Sequence, residues 1–388
     1  MHRILPILSI LLLAFPAFSQ TITSTTTLDN IQQVSRDGFA FPTNQFVWTM
    51  TEFNGEIYAG IGNWTDSESG LSAWFNGISA DSKGGQILKY RPGNPNWLRV
   101  AESGLTSATN EGVRVLLEFQ GALYAATQNP TDGCEIWKST DGTTWTTVSS
   151  GGFGNTHNLA GVAMIEFGGE LYVATENRTD GAEIWKSANG TSWSQVASAG
   201  VDNLRNVSIS AMIEYGSKLY VGTTNYLEGF YLYTSIDGSA FTPVLSKGNS
   251  FDGEMGILDM EEFSGGLYLS TFNIRKGCSV FRSLDGTAFT QVAKEGISDE
   301  GNTFGLSLQV FGGRIYLGTL DRSPIYSTGT FDLYSSGDGT AWSAETTEGF
   351  EGIEGEISIR SMTTLQDTLL LGTGSVESNT RVFAAEAK

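Results

Sequence analysis

The chain repeats at a fixed interval, and this periodicity constrains its fold more than any other feature. An aromatic residue ends the first strand-like segment of most repeats, and five of these anchors lie 48 residues apart: Phe119, Phe167, Tyr215, Phe263 and Phe311. Phe53 precedes this series and Leu365 follows it, which makes seven repeats. Each repeat holds four short segments of alternating polarity, separated by turn residues. The sequence therefore predicts an all-β fold, a seven-bladed β-propeller of four-stranded antiparallel blades.

The two ends of the chain together make up one repeat. The last repeat stops at Lys388 after three strands, while residues 30–35 have the pattern of an isolated fourth strand. We expect residues 30–35 to supply the outer strand of the last blade and to close the ring, which would remove the exposed edges of an open array. An open β-solenoid is the alternative, but it would not need two complementary fragments at its ends.

The N-terminus has the features of a secretory signal. Arg3 precedes an apolar run, and Ala17 and Ser19 are small residues at the positions that a cleavage site requires. This run is too short and wrongly flanked for a membrane span. We expect residues 1–19 to be a signal peptide and residues 20–388 to form a single domain, secreted or periplasmic.

Charge and cysteine content narrow the possible partners. The chain has 42 acidic and 22 basic residues and a net charge of -20, which argues against binding to nucleic acids or anionic membranes. No second apolar run could span a bilayer, so we expect no membrane insertion, and we expect a monomer. The two cysteines, Cys134 and Cys278, occupy equivalent positions three repeats apart, too far to form a disulfide in a closed ring.

A turn motif recurs between the third and fourth strands of five repeats. Its pattern is Ser-x-[Asp/Asn]-Gly-x-x-[Trp/Phe], and the copies begin at Ser139, Ser187, Ser235, Ser283 and Ser336. The carboxylate can cap the turn amides, glycine can take a positive φ, and the aromatic residue can pack into the blade. The motif resembles the Asp-box of the sialidase-like and BNR-repeat propellers, although it is one residue shorter. That resemblance implies a structural turn on the face away from any active site. It does not imply sialidase activity, because no Arg-Ile-Pro segment occurs.

Polar residues recur on both sides of the anchors. Nine residues before the anchors lie Asn44, Asn110, Asn158, Asn206, Glu254, Asn302 and Glu356. Ten residues after them lie Asn63, Asn129, Asn177, Asn225, Asn273, Asp321 and Ser375. Because the two strands are antiparallel, both sets should ring the mouth of the central channel. Asparagine caps turns, which is one interpretation. In the other, Glu254, Glu356 and Asp321, with Asn110 and Asn158, bind a cation such as calcium or the hydroxyls of a sugar. We expect no other cofactor.

Three residues break the symmetry of the repeats at the channel. Five residues before their anchors lie Trp48, Arg114 and Arg360, in blades that are neighbours in the ring. Two guanidiniums flanking an indole could hold a carboxylate and an apolar sugar face. Alternatively, the arginines form internal salt bridges with Glu356, Glu354 or Glu111.

The first repeat carries the longest insertion, around residues 64–84. Trp64 and Trp74 lie in it among Gly, Ser and Asp. Exposed aromatic side chains on a loop face serve glycan or protein recognition. The alternative is that this loop folds over the channel as a plug.

Three functions are compatible with these features. The first is a secreted, non-catalytic recognition propeller that binds a glycan or a protein at the channel-mouth loops. The second is a glycoside hydrolase or polysaccharide lyase, with Arg114 and Arg360 holding a uronic or sialic acid. The third, implied by the Asp-box resemblance, is an envelope assembly factor. His157 is the one histidine of the mature chain, which excludes a multi-histidine metal site and disfavours a serine triad.

Overall fold

The computed structural model describes residues 26–41, 43–63, 83–92, 94, 96–250, 253–321, 331–350, 353–375 and 380–388. The regular structure of these residues is almost entirely β, with short 3-10 turns at Asp37–Ala40, Gly151–Gly154 and Lys247–Ser250. The strands group into seven units, numbered in chain order, and within each unit four strands pair antiparallel. Trp64 and Trp74 lie outside the described residues, as do residues 1–19.

The first three units occupy residues 44–197. Unit 1 comprises β2 (Asn44–Phe53), β3 (Glu56–Asn63), β4 (Gln86–Tyr90) and β5 (Leu98–Ala101). Unit 2 comprises β6 (Gly112–Phe119), β7 (Ala122–Gln128), β8 (Ile136–Ser139) and β9 (Thr146–Ser149). Unit 3 comprises β10 (Ala160–Phe167), β11 (Glu170–Glu176), β12 (Ile184–Ser187) and β13 (Ser194–Ala197).

The other four units complete the ring. Unit 4 comprises β14 (Ser208–Tyr215), β15 (Lys218–Thr224), β16 (Leu232–Ser235) and β17 (Thr242–Leu245). Unit 5 comprises β18 (Gly256–Phe263), β19 (Gly266–Phe272), β20 (Val280–Ser283) and β21 (Thr290–Ala293). Unit 6 comprises β22 (Asn302–Phe311), β23 (Arg314–Asp321), β24 (Leu333–Ser336) and β25 (Ser343–Thr346). Unit 7 comprises β26 (Glu356–Leu365), β27 (Thr368–Ser375), β28 (Val382–Ala387) and β1 (Leu28–Gln33).

The units are not separate sheets. The second strand of each unit also pairs with the first strand of the next through one residue pair, such as Gly62 with Gly112. Phe46 and Gly374 close the circle between β2 and β27. The inner strands therefore form a closed antiparallel ring of 14 strands, with 14 strands outside it, in one 28-stranded sheet. The predicted seven-bladed β-propeller of four-stranded antiparallel blades is therefore wrong, because the inner strands of all units close into one barrel.

Small residues explain why neighbouring units approach so closely. A Cβ atom on Gly85 would lie 2.7 Å from the Gly112 Cα atom, and one on Gly60 would lie 2.7 Å from the Val113 carbonyl oxygen. Because glycine has no side chain at these positions, the backbones of adjacent units can approach to hydrogen-bonding distance. A single residue pair leaves no periodic signal in the sequence, so strand periodicity could not reveal it.

The two chain ends meet in unit 7. β1 pairs antiparallel with β28, from Leu28 opposite Ala387 to Gln33 opposite Phe383. The sequence placed this strand at residues 30–35. Beside it, the Arg381 guanidinium donates from Nε to Asp37 Oδ1 at 2.7 Å and from Nη1 to Glu356 Oε1. This ion-pair cluster joins β26, β28 and the segment that leads from β1 to β2.

In units 2 to 6, the Asp-box-like turn packs against a buried tyrosine of the preceding unit. In unit 2, Asp141 Oδ1 accepts the N–H groups of Thr143 and Thr144 at 2.7 and 2.6 Å. A Cβ atom on Gly142 would lie 2.0 Å from the hydroxyl of Tyr58, a buried residue of unit 1. The turn glycine therefore has two roles: it takes a positive φ, and it leaves room for the tyrosine of the neighbouring unit.

We expect the Gly190→Ala substitution to lower the free energy of unfolding by about 2–4 kcal/mol, since it adds overpacking to left-handed strain. A Cβ atom there would lie 1.9 Å from the hydroxyl of Tyr124, which is fully buried. Gly168→Ala is the matched control, because Gly168 has a φ of +60° and no atom near its Cβ position. The control should cost only about 1–2 kcal/mol. Both free energies of unfolding are measured with urea. Equal losses for the two variants would contradict close packing of the turn against the tyrosine of the preceding unit.

The same turns predict a loss of stability in acid. Hydrogen bonds from backbone N–H groups, with Thr144, Ala288 and Ala341 first in each case, lower the pKa values of Asp141, Asp285 and Asp338. A carboxylate whose pKa falls on folding stabilises the fold above its unfolded pKa, and that contribution is lost as the pH drops below about 4. Replacing all three residues with Asn, the residue that unit 3 has at position 189, should reduce the drop in thermal midpoint between pH 7 and pH 3. An unchanged drop would contradict this role.

Candidate channel-mouth binding site

The predicted asparagine rings are buried and bonded internally. Asn110 Nδ2 donates to the Gly104 carbonyl at 2.8 Å and to Glu135 Oε2 at 2.7 Å. Asn158 Nδ2 makes the equivalent bonds, to the Gly152 carbonyl at 2.8 Å and to Glu183 at 2.7 Å. Both side chains are at most 1% exposed. These bonds hold the turns at the channel end of each unit, as expected of turn-capping residues.

The acidic residues of these rings are not grouped into one site by their contacts. Glu254 is buried and accepts hydrogen bonds from Thr271 Oγ1 and Ser279 Oγ, both at 2.5 Å, and burial raises its pKa. Glu356 is bound to Arg381, and burial raises the pKa of Glu356 to about 7. Asp321 is half-buried at the end of β23. Among the described residues, no three metal-ligating side chains form a cluster.

Trp48, Arg114 and Arg360 lie together in the channel. The guanidinium carbons of Arg114 and Arg360 each lie 3.7 Å from the centroid of the Trp48 ring. Two guanidiniums at that distance over one face would collide, so they occupy opposite faces of the indole. The indole is 8% exposed, and it rests on the pairing of Gly62 with Gly112, where a Gly62 Cβ atom would lie 2.1 Å from Trp48 Nε1. The bridge between units 1 and 2 thus sets the position of Trp48.

The two arginines are half-buried cations in the channel. Burial lowers the pKa of Arg114 to about 10, and burial together with the nearby Arg114 lowers the pKa of Arg360. Arg114 remains charged at neutral pH. It donates from Nη1 to the amide oxygen of Gln128 at 2.6 Å and, among the described residues, forms no ion pair with a carboxylate. Of the carboxylates proposed as salt-bridge partners, Glu356 bonds to Arg381 instead.

A cavity of about 150 Å³ opens beside this stack. One part of its wall is polar and includes Gln128, Ser208, Ser210 and Thr224. Another part is apolar and includes Val162, Leu258, Phe272 and Leu306. The cavity therefore combines two cations, several hydroxyl groups and an apolar surface, which suits a small polar ligand with an apolar face.

Glu176, Arg178 and Tyr226 form another part of the cavity wall. Arg178 Nη2 lies 2.7 Å from Glu176 Oε1, so these two side chains form an ion pair. Burial raises the pKa of Tyr226 to about 12, which keeps its phenol neutral and able to donate a hydrogen bond. None of the three was predicted from the sequence, nor was Gln128. Their positions carried a signal, since they lie nine or eleven residues after the anchors, on either side of the nearly invariant asparagine. Trp64 occupies the same eleventh position in unit 1.

A second cavity, of about 240 Å³, continues the channel beneath the arginines. Asp259 lines it, and burial raises the pKa of this residue to about 6. Its two oxygens accept the N–H groups of Met260 and Leu308, each at 2.8 Å. In unit 1, Thr49 Oγ1 likewise accepts the N–H of Leu116 from the next unit. Asp259 therefore links neighbouring inner strands and is oriented by backbone groups.

His157 lies on the loop face in an exposed ion pair. Its Nδ1 atom is 2.7 Å from Asp180 Oδ2, and both side chains are about half exposed. Arg205 and Glu228 form the equivalent pair one unit further on. This equivalence indicates a contact between loops and gives no support for catalysis by His157.

Comparisons with known proteins address the fold. No family model and no curated protein matches this chain. The structure of the Neurospora crassa Pan2 WD40 domain matches 94% of this chain and 97% of its own length, with a TM-score of 0.55 and 9% identity. This chain has a β-propeller-like fold. A prolyl endopeptidase structure matches 92% of this chain with a TM-score of 0.52 and 12% identity, and this chain spans about half its length, 51%.

This propeller-like chain shares only its fold with these proteins at such identities. No helix in the described ranges is long and apolar enough to cross a membrane. The evidence for function therefore lies in the channel residues themselves.

Proposed function

We propose that this protein is an exported, non-catalytic recognition protein that binds an acidic sugar residue of a glycan in the channel cavity. The observation that carries the proposal is the stacking of two half-buried guanidiniums on opposite faces of Trp48. The cavity lies on the channel axis, so a ligand would enter end-on and leave the rest of its chain on the loop face.

The physical reason is the free energy of the buried charges. Cation–π contact with an indole stabilises each guanidinium by about 0.5–2 kcal/mol. The desolvation of a buried ion costs several kcal/mol, and the two like charges also repel each other. A carboxylate that enters the cavity would offset both costs and would form charge-assisted hydrogen bonds.

The remaining wall favours a sugar over an acidic peptide side chain. A pyranose carries hydroxyl groups on its rim and C–H groups on its faces. Gln128, Ser208 and Thr224 offer polar partners, while Leu258 and Leu306 offer an apolar surface. The cavity of about 150 Å³ is of the size that holds one six-membered ring. An isolated carboxylate side chain would leave those hydroxyl groups unused.

The predicted rim carboxylates do not favour catalysis. Glycoside hydrolysis by the usual route needs two carboxyl groups that flank the scissile bond. Glu254 is hydrogen-bonded to Thr271 and Ser279, and Glu356 is bonded to Arg381, so both are engaged inside their units. Neither residue lines the cavity beside Trp48.

Isothermal titration of the protein lacking residues 1–19 would test this proposal. The ligands are oligogalacturonate, a neutral galactan of similar length and poly-glutamate. We expect binding of oligogalacturonate alone, loss of binding in Arg114→Met, and unchanged binding in Arg91→Met, whose side chain is 71% exposed. Binding of the galactan with equal affinity would overturn the carboxylate requirement. Preference for poly-glutamate would overturn the choice of a glycan.

Two further proposals concern origin and compartment. We propose that the chain is a divergent relative of the Asp-box propellers, because its turns bind their own backbone through Asp or Asn. We also propose that it is exported after removal of residues 1–19. The mass of the protein recovered from its native host should correspond to a chain that starts at Gln20, and retention of residues 1–19 would contradict export by this route.

A further inference from the structure

We infer that the channel cavity has a second subsite beside it, at which Leu204 and Leu227 of unit 4 bind the sugar residue that follows the acidic one. This inference rests on the proposed function and deepens it, because it extends the recognised ligand from one sugar residue to two. Leu227 is 78% exposed and Leu204 is 60% exposed, and together they form what we call the leucine patch.

The leucine patch departs from the pattern of the neighbouring repeat. At the same distances from its anchor, unit 3 has Thr156 and Thr179. The described residues include five exposed large apolar side chains, and only Leu204 and Leu227 lie in loops at the channel mouth. An exposed leucine loses the free energy that burial of its side chain would provide. Two of them on adjacent loops of one unit therefore indicate a surface for a ligand with an apolar face.

The two loops that carry the patch are bonded to each other. Glu228 accepts a hydrogen bond from Arg205 Nη1 at 2.5 Å and another from Asn203 Nδ2 at 3.0 Å. Leu204 therefore lies between two residues that bind the neighbouring loop, and Leu227 directly precedes their partner in the chain. Because these bonds hold both leucines in place before a ligand binds, little ordering of the loops would be needed on binding.

The leucine patch adjoins the channel cavity. Tyr226 belongs to the cavity wall, and Leu227 follows it directly in the chain. A Cβ atom on Gly181 would lie 3.1 Å from the Leu204 Cα atom, so Leu204 packs against the loop of unit 3 that also carries the wall residue Arg178. A sugar chain whose terminal residue occupies the cavity would therefore meet the leucine patch at its next residue.

The size of the patch favours a sugar over a protein as its ligand. A stable protein interface buries about 800 Å² on each partner, and two leucine side chains supply only a small part of that area. A pyranose ring has a C–H face that two leucine side chains can cover while its hydroxyl groups stay in water. The occupant that fits both the size of the patch and its place beside the cavity is thus the continuation of the glycan.

Titration of galacturonate and digalacturonate into the protein lacking residues 1–19 tests for the second subsite. We expect digalacturonate to bind about 10–100 times more tightly, since contact with the two leucines removes apolar surface from water. The double variant Leu204→Ser with Leu227→Ser should bind digalacturonate about as weakly as it binds galacturonate. Its affinity for galacturonate should equal that of the wild-type protein, because the cavity itself is unchanged.

The matched control is the double variant Ile236→Ser with Leu284→Ser. These side chains are 76% and 66% exposed, and they lie in turns between the third and fourth strands, at the other end of the units. This variant should bind both ligands as the wild-type protein does. Thermal midpoints of both double variants show that each is folded.

Three results would overturn the second subsite and leave the proposed function intact. The first is equal wild-type affinity for galacturonate and digalacturonate. The second is full retention of digalacturonate affinity in the leucine variant. The third is dimerisation in sedimentation experiments that the leucine variant loses without a change in digalacturonate affinity, which would assign the patch to a second copy of the chain. Failure of both ligands and of longer oligogalacturonate to bind would overturn the proposed function, and this inference with it.

Discussion

Replacing Arg114 and Arg360 together with Met is expected to abolish binding of an acidic glycan without destabilising the protein. Each charge-assisted contact contributes about 1.5–3 kcal/mol, so loss of both should weaken binding roughly 1,000-fold. Met keeps an apolar side chain over each face of Trp48. Removal of two half-buried like charges relieves their mutual repulsion and their desolvation cost, so the free energy of unfolding should be unchanged or higher.

The direction of the stability change separates a ligand site from a structural one. If the arginines served mainly to hold the fold, their removal would leave buried groups unpaired and would lower stability by several kcal/mol. Titration with oligogalacturonate measures the binding affinity, and urea unfolding of the same sample measures the free energy of unfolding. Arg91→Met is the matched control, because it removes an exposed cation that lines neither cavity. A double variant that is unstable yet still binds would contradict our account.

The second large effect is expected where the chain ends meet. Arg381→Met should lower the free energy of unfolding by about 3–5 kcal/mol, the usual result of leaving a buried carboxylate without its partner. Glu356, its partner, is 3% exposed. The same arginine holds Asp37, so its loss also loosens the segment that joins β1 to β2.

The control for this prediction is an exposed ion pair. Lys294 and Glu295 are 64% and 51% exposed, so Lys294→Met should cost only about 0–1 kcal/mol. The double variant Glu356→Gln with Arg381→Met should recover part of the loss, since it leaves no buried carboxylate without a partner and only the more exposed Asp37 unpaired. Urea unfolding of the four proteins gives the comparison. A loss below about 1 kcal/mol for Arg381→Met would show that the ion pair does not hold the closure.

Repeat spacing carried most of the information that the sequence holds about this fold. A fixed interval between anchors and the alternation of polar and apolar residues indicate an all-β repeat protein, and both follow from strand geometry. The bridges between units could not be predicted in this way. They are single residue pairs, such as Gly62 with Gly112, and they depend on how closely two backbones approach in three dimensions.

The sequence likewise predicts one part of the candidate site and not another. Counting from the anchors places Trp48, Arg114 and Arg360 at equivalent positions of neighbouring units, because register is preserved from repeat to repeat. Counting cannot show whether a polar ring faces solvent. The asparagines at the channel end bond to their own turns, and this depends on backbone carbonyl positions that the sequence does not specify. Tyr226 and Arg178 occupy variable positions beside the regular ones, and position in the repeat does not by itself mark such residues as part of a site.

The central claim is that the carboxylate of an acidic sugar residue binds in the cavity beside Arg114, Trp48 and Arg360. A crystal structure of the protein lacking residues 1–19, grown with digalacturonate, tests this most directly. We predict a carboxylate of the ligand within hydrogen-bond distance of Arg114, with the sugar ring of that residue in the cavity. Digalacturonate bound at another surface, with the stack untouched, would contradict the claim.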